Sequence, residues 1–318
     1  DWLALAESCA PVVEEASAPA ATAVALPSPD GESVIPTDDL LEYEPQEVAY
    51  IPYSVPIQVD GNLSDWNGIP FEIVETGTMT SPFPEENGSF QFSLAADNEN
   101  VYLYMVMPDA TIVTGEHGGD YWNEDSMEIY FNFTDNLSRN DYAENVFQVN
   151  INPGNIGNTD PDALVLTGVN SQSAGISGFV FLTADGWGFE VAIPIPDGIE
   201  VAHGLEIGFQ AHANGSSGGD RDVKLIWSAA DTGDTSYQNP AVFGRALFYE
   251  PGNTGALEIS ESVVIVEEEV NAVNVSINQV GYFVDAPHFG MLAILLLHGY
   301  SLMRRQVTLS MQAQQVVR

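Results

Sequence analysis

From about residue 51 onwards, apolar and polar residues alternate in short runs separated by clusters of Gly, Asn, Asp and Pro. A period of two places successive side chains on opposite faces of an extended chain, so these runs predict β-strands. Val101, Leu103, Met105 and Met107 share one face of the first clear run, and Met127, Ile129 and Phe131 share a face of the second. Phe147, Val149 and Ile151 repeat the pattern, followed by Phe189, Val191 and Ile193, then by Ile207, Phe209, Ala211 and Ala213. Such runs, punctuated by turn residues, predict an all-β fold: an antiparallel β-sandwich of the jelly-roll kind with these faces as its core.

The opposite faces carry the candidate chemistry. Glu128 and Tyr130 share one, Gln148 and Asn150 a second, and Gln210, His212 and Asn214 a third. Carboxylate, amide and imidazole groups in such an array pair with the hydroxyls of a sugar. A solvated outer sheet face carries the same residue types, and alternation by itself does not separate the two.

Residues 1–50 show neither period and are rich in Ala, Pro, Ser, Val and Glu. That composition buries too little apolar surface to offset the entropy lost on ordering, so an export remnant followed by a disordered, flexible linker is expected there. The apolar start, Trp2 to Ala6, precedes Cys9, and Ala6 and Ser8 suit the small positions before a lipidated cysteine whereas Glu7 does not. A secreted or cell-surface location is expected, with lipid anchoring through Cys9 and an incidental thiol both open. The sandwich is assigned to 51–249, an acidic linker to 250–271, a further β segment to 272–294 and an atypical tail to 295–318. Three of the seven basic residues, Arg304, Arg305 and Arg318, fall in that tail, and no acid follows Asp285. The reversal of charge points to a truncated or frame-shifted reading frame, with a short amphipathic helix as the alternative.

Charge narrows the partners. Forty-six acidic residues against seven basic ones give a formal charge of −39, a field that repels phosphate backbones and anionic membranes, so nucleic acid is not an expected partner. There is no run of about 18 apolar residues of the kind a transmembrane helix needs. Cys9, the only cysteine, permits neither an intrachain disulfide nor a cysteine metal cluster. So many carboxylates suit a saline habitat or calcium sites, although a solvated acidic surface accounts for most of them.

Several segments, in order, resemble carbohydrate-binding module family 9. They are VDGNLSDW from Val59 to Trp66, ADNENVYLY from Ala96 to Tyr104, YWNEDSMEIYF from Tyr121 to Phe131, GWGFEVAIP from Gly186 to Pro194, and SYQNPAVFG from Ser236 to Gly244. The resemblance implies two aromatic walls, Trp122 and Tyr237, that sandwich the terminal sugar of a glucan or xylan chain. Pyranose C–H faces lie flat on such rings while the hydroxyls turn to polar partners. The polar positions it implies are Glu128, which matches, Gln148 where the family pattern has Arg, His212 where it has an amide, and Asp234 where it has Asn. Loss of the guanidinium removes a charge-assisted donor fork, so a weakened or retargeted site is expected. Trp66, Trp187 and Trp227 are expected in the core, and Asp60, Asp65, Asp97, Asp109 and Asp125 at turn caps. Structural calcium is implied for the family as a whole, on no particular residues. The function implied is non-catalytic binding of cellulose, xylan or their oligosaccharides at chain ends, with plant cell-wall polysaccharide as the partner.

The run VSINQVGYFVDAP from Val275 to Pro287 resembles the opening strand of the immunoglobulin-like domain that precedes the catalytic barrel of family 9 glycoside hydrolase cellulases. It implies an appended hydrolase, an endoglucanase or related enzyme, whose catalytic part lies outside this fragment. Two other classes of function compete with binding. Catalysis needs two carboxylates flanking a cleft, but Glu124, Asp125 and Glu128 sit in one short segment where neighbours alternate in direction. Haem-based electron transfer can draw on Met79, Met107, His117 and His212, without a Cys-x-x-Cys-His attachment motif. A structural cell-surface β-domain is the remaining class.

Overall fold

A computed structural model describes residues 23–27, 46–82 and 86–260. Cys9 and the expected segments 272–294 and 295–318 lie outside the described residues. Twelve strands follow one another: β1 (Val48–Pro52), β2 (Phe71–Val74), β3 (Gly77–Met79), β4 (Phe90–Ala96), β5 (Asn100–Pro108), β6 (Ser126–Asn132), β7 (Val146–Ile151), β8 (Ser177–Leu182), β9 (Gly186–Pro194), β10 (Glu206–Gly215), β11 (Val223–Ile226) and β12 (Gly244–Tyr249). They form two sheets. One has five strands in the order β2-β4-β5-β9-β8, all antiparallel. The other has seven strands around β10, which pairs with β6 along one edge and with β12 and then β11 along the other. β7 extends it beyond β6, β3 beyond β11, and β1 beyond β12, the one parallel pairing of strands among the described residues.

All five runs of alternation fall on strands, and their apolar faces meet between the sheets. Met105, Phe189, Phe131, Phe209 and Ala211 are fully buried there. Phe92 of one sheet packs 5.3 Å from Phe209 of the other and edge-on against Trp227 at 5.7 Å. Such tilted and edge-to-face ring contacts add specific geometry to plain area burial. Trp66, Trp187 and Trp227 are all buried, as the sequence leads one to expect.

The outer face of the five-stranded sheet is closed by the segment running from Ser54 to Pro70. Glu190, fully buried on that face, accepts a hydrogen bond from Trp66 Nε1 at 2.8 Å and from the Asp60 and Gly61 amides at 3.0 and 2.9 Å. A buried carboxylate is tolerable only when its oxygens are satisfied, and here three donors satisfy them. This pin fastens a second small core, in which Trp66 meets Tyr104 edge-on at 4.9 Å.

The boundaries differ from those read in the sequence. The sandwich starts within the stretch assigned to the linker, because Val48 and Ala49 are buried and pair with Arg245 and Ala246. Within the same stretch, Val24 donates its amide to the Leu182 carbonyl at 2.8 Å. At the other end Leu257, placed in the acidic linker, is buried against Val48, Leu247 and Tyr249. Isolated apolar residues in a polar stretch carry no period, so alternation cannot find such docking points.

Candidate functional site: an aromatic-walled pocket

The outer face of the seven-stranded sheet carries the predicted polar array, and strand register turns it into rows. Asn150 lies opposite Glu128, which lies opposite His212, while Gln148, Tyr130 and Gln210 form the adjacent row. Because the side-chain period is two, a slip of one residue would send every one of these groups into the core. Above the rows is a pocket of about 580 Å³ lined by Trp122, Tyr237, Glu128, Tyr130, Gln148, Asn150, Arg221, Lys224 and Asp234, with Thr167 and Gly168 along one side. That volume suits a small organic ligand.

Trp122 and Tyr237, the residues expected as aromatic walls, both line this pocket. Trp122 stands on a 3-10 turn, Tyr121–Asn123, in the loop that joins β5 to β6, and is 46% exposed; Tyr237 is 47% exposed. Among the described residues they are the two exposed aromatic rings. The Trp122 turn is held from below. Glu124 accepts the amides of Gly115, Glu116 and His117 at 3.0, 3.0 and 3.2 Å and Asn152 Nδ2 at 3.0 Å, while Asp125 accepts the amides of Val113 and Ser216. The Tyr237 turn is held by Asp231, which accepts the amides of Thr235 and Ser236 at 2.7 and 2.9 Å. Asp234, between them, has φ +54°, a left-handed conformation that Asp and Asn tolerate better than most residues.

The floor is organised by Glu128. One carboxylate oxygen accepts Lys224 Nζ at 2.6 Å and Asn214 Nδ2 at 2.7 Å; the other accepts Gln148 Nε2 at 2.7 Å and the Tyr130 hydroxyl. Burial would raise its pKa, but the Lys224 ammonium and the donors outweigh burial and hold it well below the usual carboxylate range. Burial and the adjacent Glu128 push the Tyr130 phenol well above its ordinary value, so it stays protonated as a donor. Lys224 also lies 3.4 Å from Asp234 Oδ1, and Arg221 Nη2 lies 3.3 Å from Asp234 Oδ2. Two cations and two carboxylates therefore balance within the pocket of a chain whose formal charge is −39.

Five of the six predicted site residues, Trp122, Tyr237, Glu128, Gln148 and Asp234, line this pocket. His212 is the correction. It is fully buried and absent from the lining, with its Nε2 3.6 Å from Asp231 Oδ2 in the loop that also bears Ser236. Its Nδ1 lies 3.2 Å from the Tyr130 hydroxyl, and burial together with Lys224 pushes its pKa down to about 3, so it is a neutral prop behind the floor. Sequence reasoning passed over Lys224, Arg221, Asn150 as a site residue, and the Thr167–Gly168 wall. Lys224 left a signal, as the only lysine of the chain set between apolar strand positions. Asn150 is conspicuous for another reason: its Oδ1 is buried without a hydrogen-bond partner on the pocket wall.

Glu124 and Asp125, considered as catalytic carboxylates, are buried and committed to backbone amides, and neither lines the pocket. Met79, Met107 and His117, candidates with His212 as haem ligands, do not line it either. As for the calcium implied by the resemblance, no group of three or more His, Cys, Asp or Glu side chains gathers to hold a metal ion among the described residues.

The fold and the pocket together define a ligand-binding β-sandwich domain. Residues 59–250 match the family described as "Carbohydrate family 9 binding domain-like", and the chain belongs to that family. Two solved structures share its fold, both of a carbohydrate binding module family 9 protein from Caldicellulosiruptor kristjanssonii. The one in complex with cellotriose is 18% identical with a TM-score of 0.53, the match covering 67% of this chain and 100% of that one. The one in complex with glucose has the same identity and TM-score, covering 64% and 96%. No curated protein matches the chain.

Proposed function

We propose that this chain is a non-catalytic glycan-binding module whose pocket takes the terminal sugar of a β-glucan or xylan chain between Trp122 and Tyr237. The observation that carries the reading is that two nearly half-exposed rings, 115 residues apart in sequence, line one pocket with a floor of buried hydrogen-bonding groups. Ring faces accept the C–H surfaces of a pyranose, and on this reading Asp234, Asn150, Gln148 and Lys224, which line the pocket, meet its hydroxyls. That family relatives are complexed with cellotriose and glucose supports a glucan as ligand. Glu128, with two hydrogen bonds on each oxygen, arranges the donors around it and has no proton to give, which favours binding over acid catalysis. On this reading the module is exported and holds an appended polysaccharide hydrolase, a cellulase in view of the Val275–Pro287 segment, against plant cell-wall glycan.

Titration calorimetry with cello- and xylo-oligosaccharides tests it. Binding that weakens at least tenfold in Trp122→Ala and in Tyr237→Ala, without loss of fold, is expected, since truncating a central aromatic hot spot costs about 2 kcal/mol or more. No binding at millimolar ligand, or binding untouched by both changes, defeats the reading.

A further inference from the structure

We infer that Arg221 is a positioning residue that fixes the gap between the two aromatic walls, an inference that rests on reading the pocket as the glycan site. An indole 46% exposed is not locked by core packing, so its orientation depends on what touches its face. The Arg221 guanidinium lies 5.4 Å from the Trp122 ring centroid, within the range of a cation–π contact. The same guanidinium is held at its other edge: Nη1 donates to Asn214 Oδ1 at 3.0 Å and Nη2 to Asp234 Oδ2 at 3.3 Å. Asp234 belongs to the tight turn that presents Tyr237 three residues later, and Asn214 is tied to Glu128 in the floor at 2.7 Å.

The backbone completes the link. The Arg221 amide donates to Asn123 Oδ1 at 3.2 Å, and Asn123 Nδ2 donates to Asp220 Oδ1 at 2.9 Å, so the residue next to Trp122 is sewn to the loop carrying Arg221. One planar cation thus spans from the turn bearing the first wall to the turn bearing the second. Its fork geometry permits two anchored bonds while the face stays against the ring, which a lysine ammonium cannot reproduce. The Arg221 side chain, 16% exposed, belongs to none of the apolar core clusters.

The test uses the full chain carrying 5-fluorotryptophan, with the Trp122 resonance assigned through Trp122→Phe and the buried Trp66, Trp187 and Trp227 as internal controls. In ligand-free Arg221→Gln the Trp122 fluorine signal is expected to shift and broaden while the three controls stay in place. Affinity for cellotriose is expected to fall about tenfold, the scale on which losing a cation–π contact and a charged hydrogen bond acts. Arg221→Lys, which keeps the charge but loses the fork, is expected to show the same signature, and it decides the matter if the Gln variant does not fold. An unmoved Trp122 signal overturns the inference, even if affinity falls, because Arg221 would then act by touching the sugar. Unchanged affinity with a shifted signal overturns it too. If the unaltered chain binds no glycan, the proposed function fails, while the ligand-free spectra still decide whether Arg221 holds the indole.

Discussion

Replacing Lys224 by Met removes the ammonium that bonds Glu128 at 2.6 Å, in a pair whose side chains are 1% and 3% exposed. At an effective dielectric constant near 20 their attraction is about 6 kcal/mol before desolvation is counted. Deleting one partner of a buried pair costs about 3 to 5 kcal/mol, because the remaining charge is buried without compensation. For a domain of this size that corresponds to a fall of roughly 6 to 20 °C in Tm. The pH dependence is the sharper signature. In the unaltered protein the Glu128 pKa is depressed, so its contribution is present above the ordinary carboxylate value of about 4.3 and is lost as pH falls below it. In Lys224→Met burial is opposed only by the neutral donors Asn214, Gln148 and Tyr130, and the Glu128 pKa is expected to rise above that value. Its contribution is then full in acid and is lost as pH rises. Thermal unfolding followed by tryptophan fluorescence should therefore show a larger gap between the two proteins at pH 7 than at pH 4. Adding Glu128→Gln to the Met variant should recover much of the gap. A Tm loss under about 2 °C, a gap equal at both pH values, or no relief from the second change would refute the reasoning.

Three further outcomes follow from the structure. Asn150→Ala should lower oligosaccharide affinity severalfold while leaving Tm within about 3 °C, since its orphaned Oδ1 has no protein partner to lose; calorimetry beside thermal unfolding checks both. Burial and the adjacent Asp109 push the Asp125 pKa up to about 8, so stability drains away as pH rises from about 4 to about 8; Asp109→Asn, which offers an amide donor in place of the repelling oxygen, should flatten that slope in Tm measured from pH 5 to pH 9. Gly168→Ala should cost more than about 1 kcal/mol in denaturant unfolding, because its Cβ would stand 2.4 Å from the Gln148 carbonyl oxygen at φ +115°.

Much of this architecture was legible because a strand buried on one face writes its period into the residues. The runs at Val101–Met107 and Ser126–Asn132 fall on β5 and β6 almost residue for residue. The same alternation found the floor groups Glu128, Tyr130, Gln148 and Asn150 as a set. It could not find depth. His212 shares a face and a row with Glu128, yet the turn of Asp231 to Ser236 lies against one while the other lines the pocket, and that is decided by a loop far away in sequence. Lys224 and Arg221 escaped for a related reason, since pairing of β11 with β10 alone brings Lys224 opposite Asn214 and so to the carboxylate. Short strands such as β3, with no buried residue, carry no pattern to read.

The parallel union of β1 with β12 has a mechanical consequence. The chain enters this pair at Val48, beside Arg245, and leaves it at Tyr249, beside Pro52, four residue pairs further along. Tension applied between Gln46 and Glu250 therefore pulls the two strands lengthwise past each other. In that shear geometry the bonds joining them bear the load together rather than opening one after another from an end, so this pair resists a pull applied at Gln46 and Glu250.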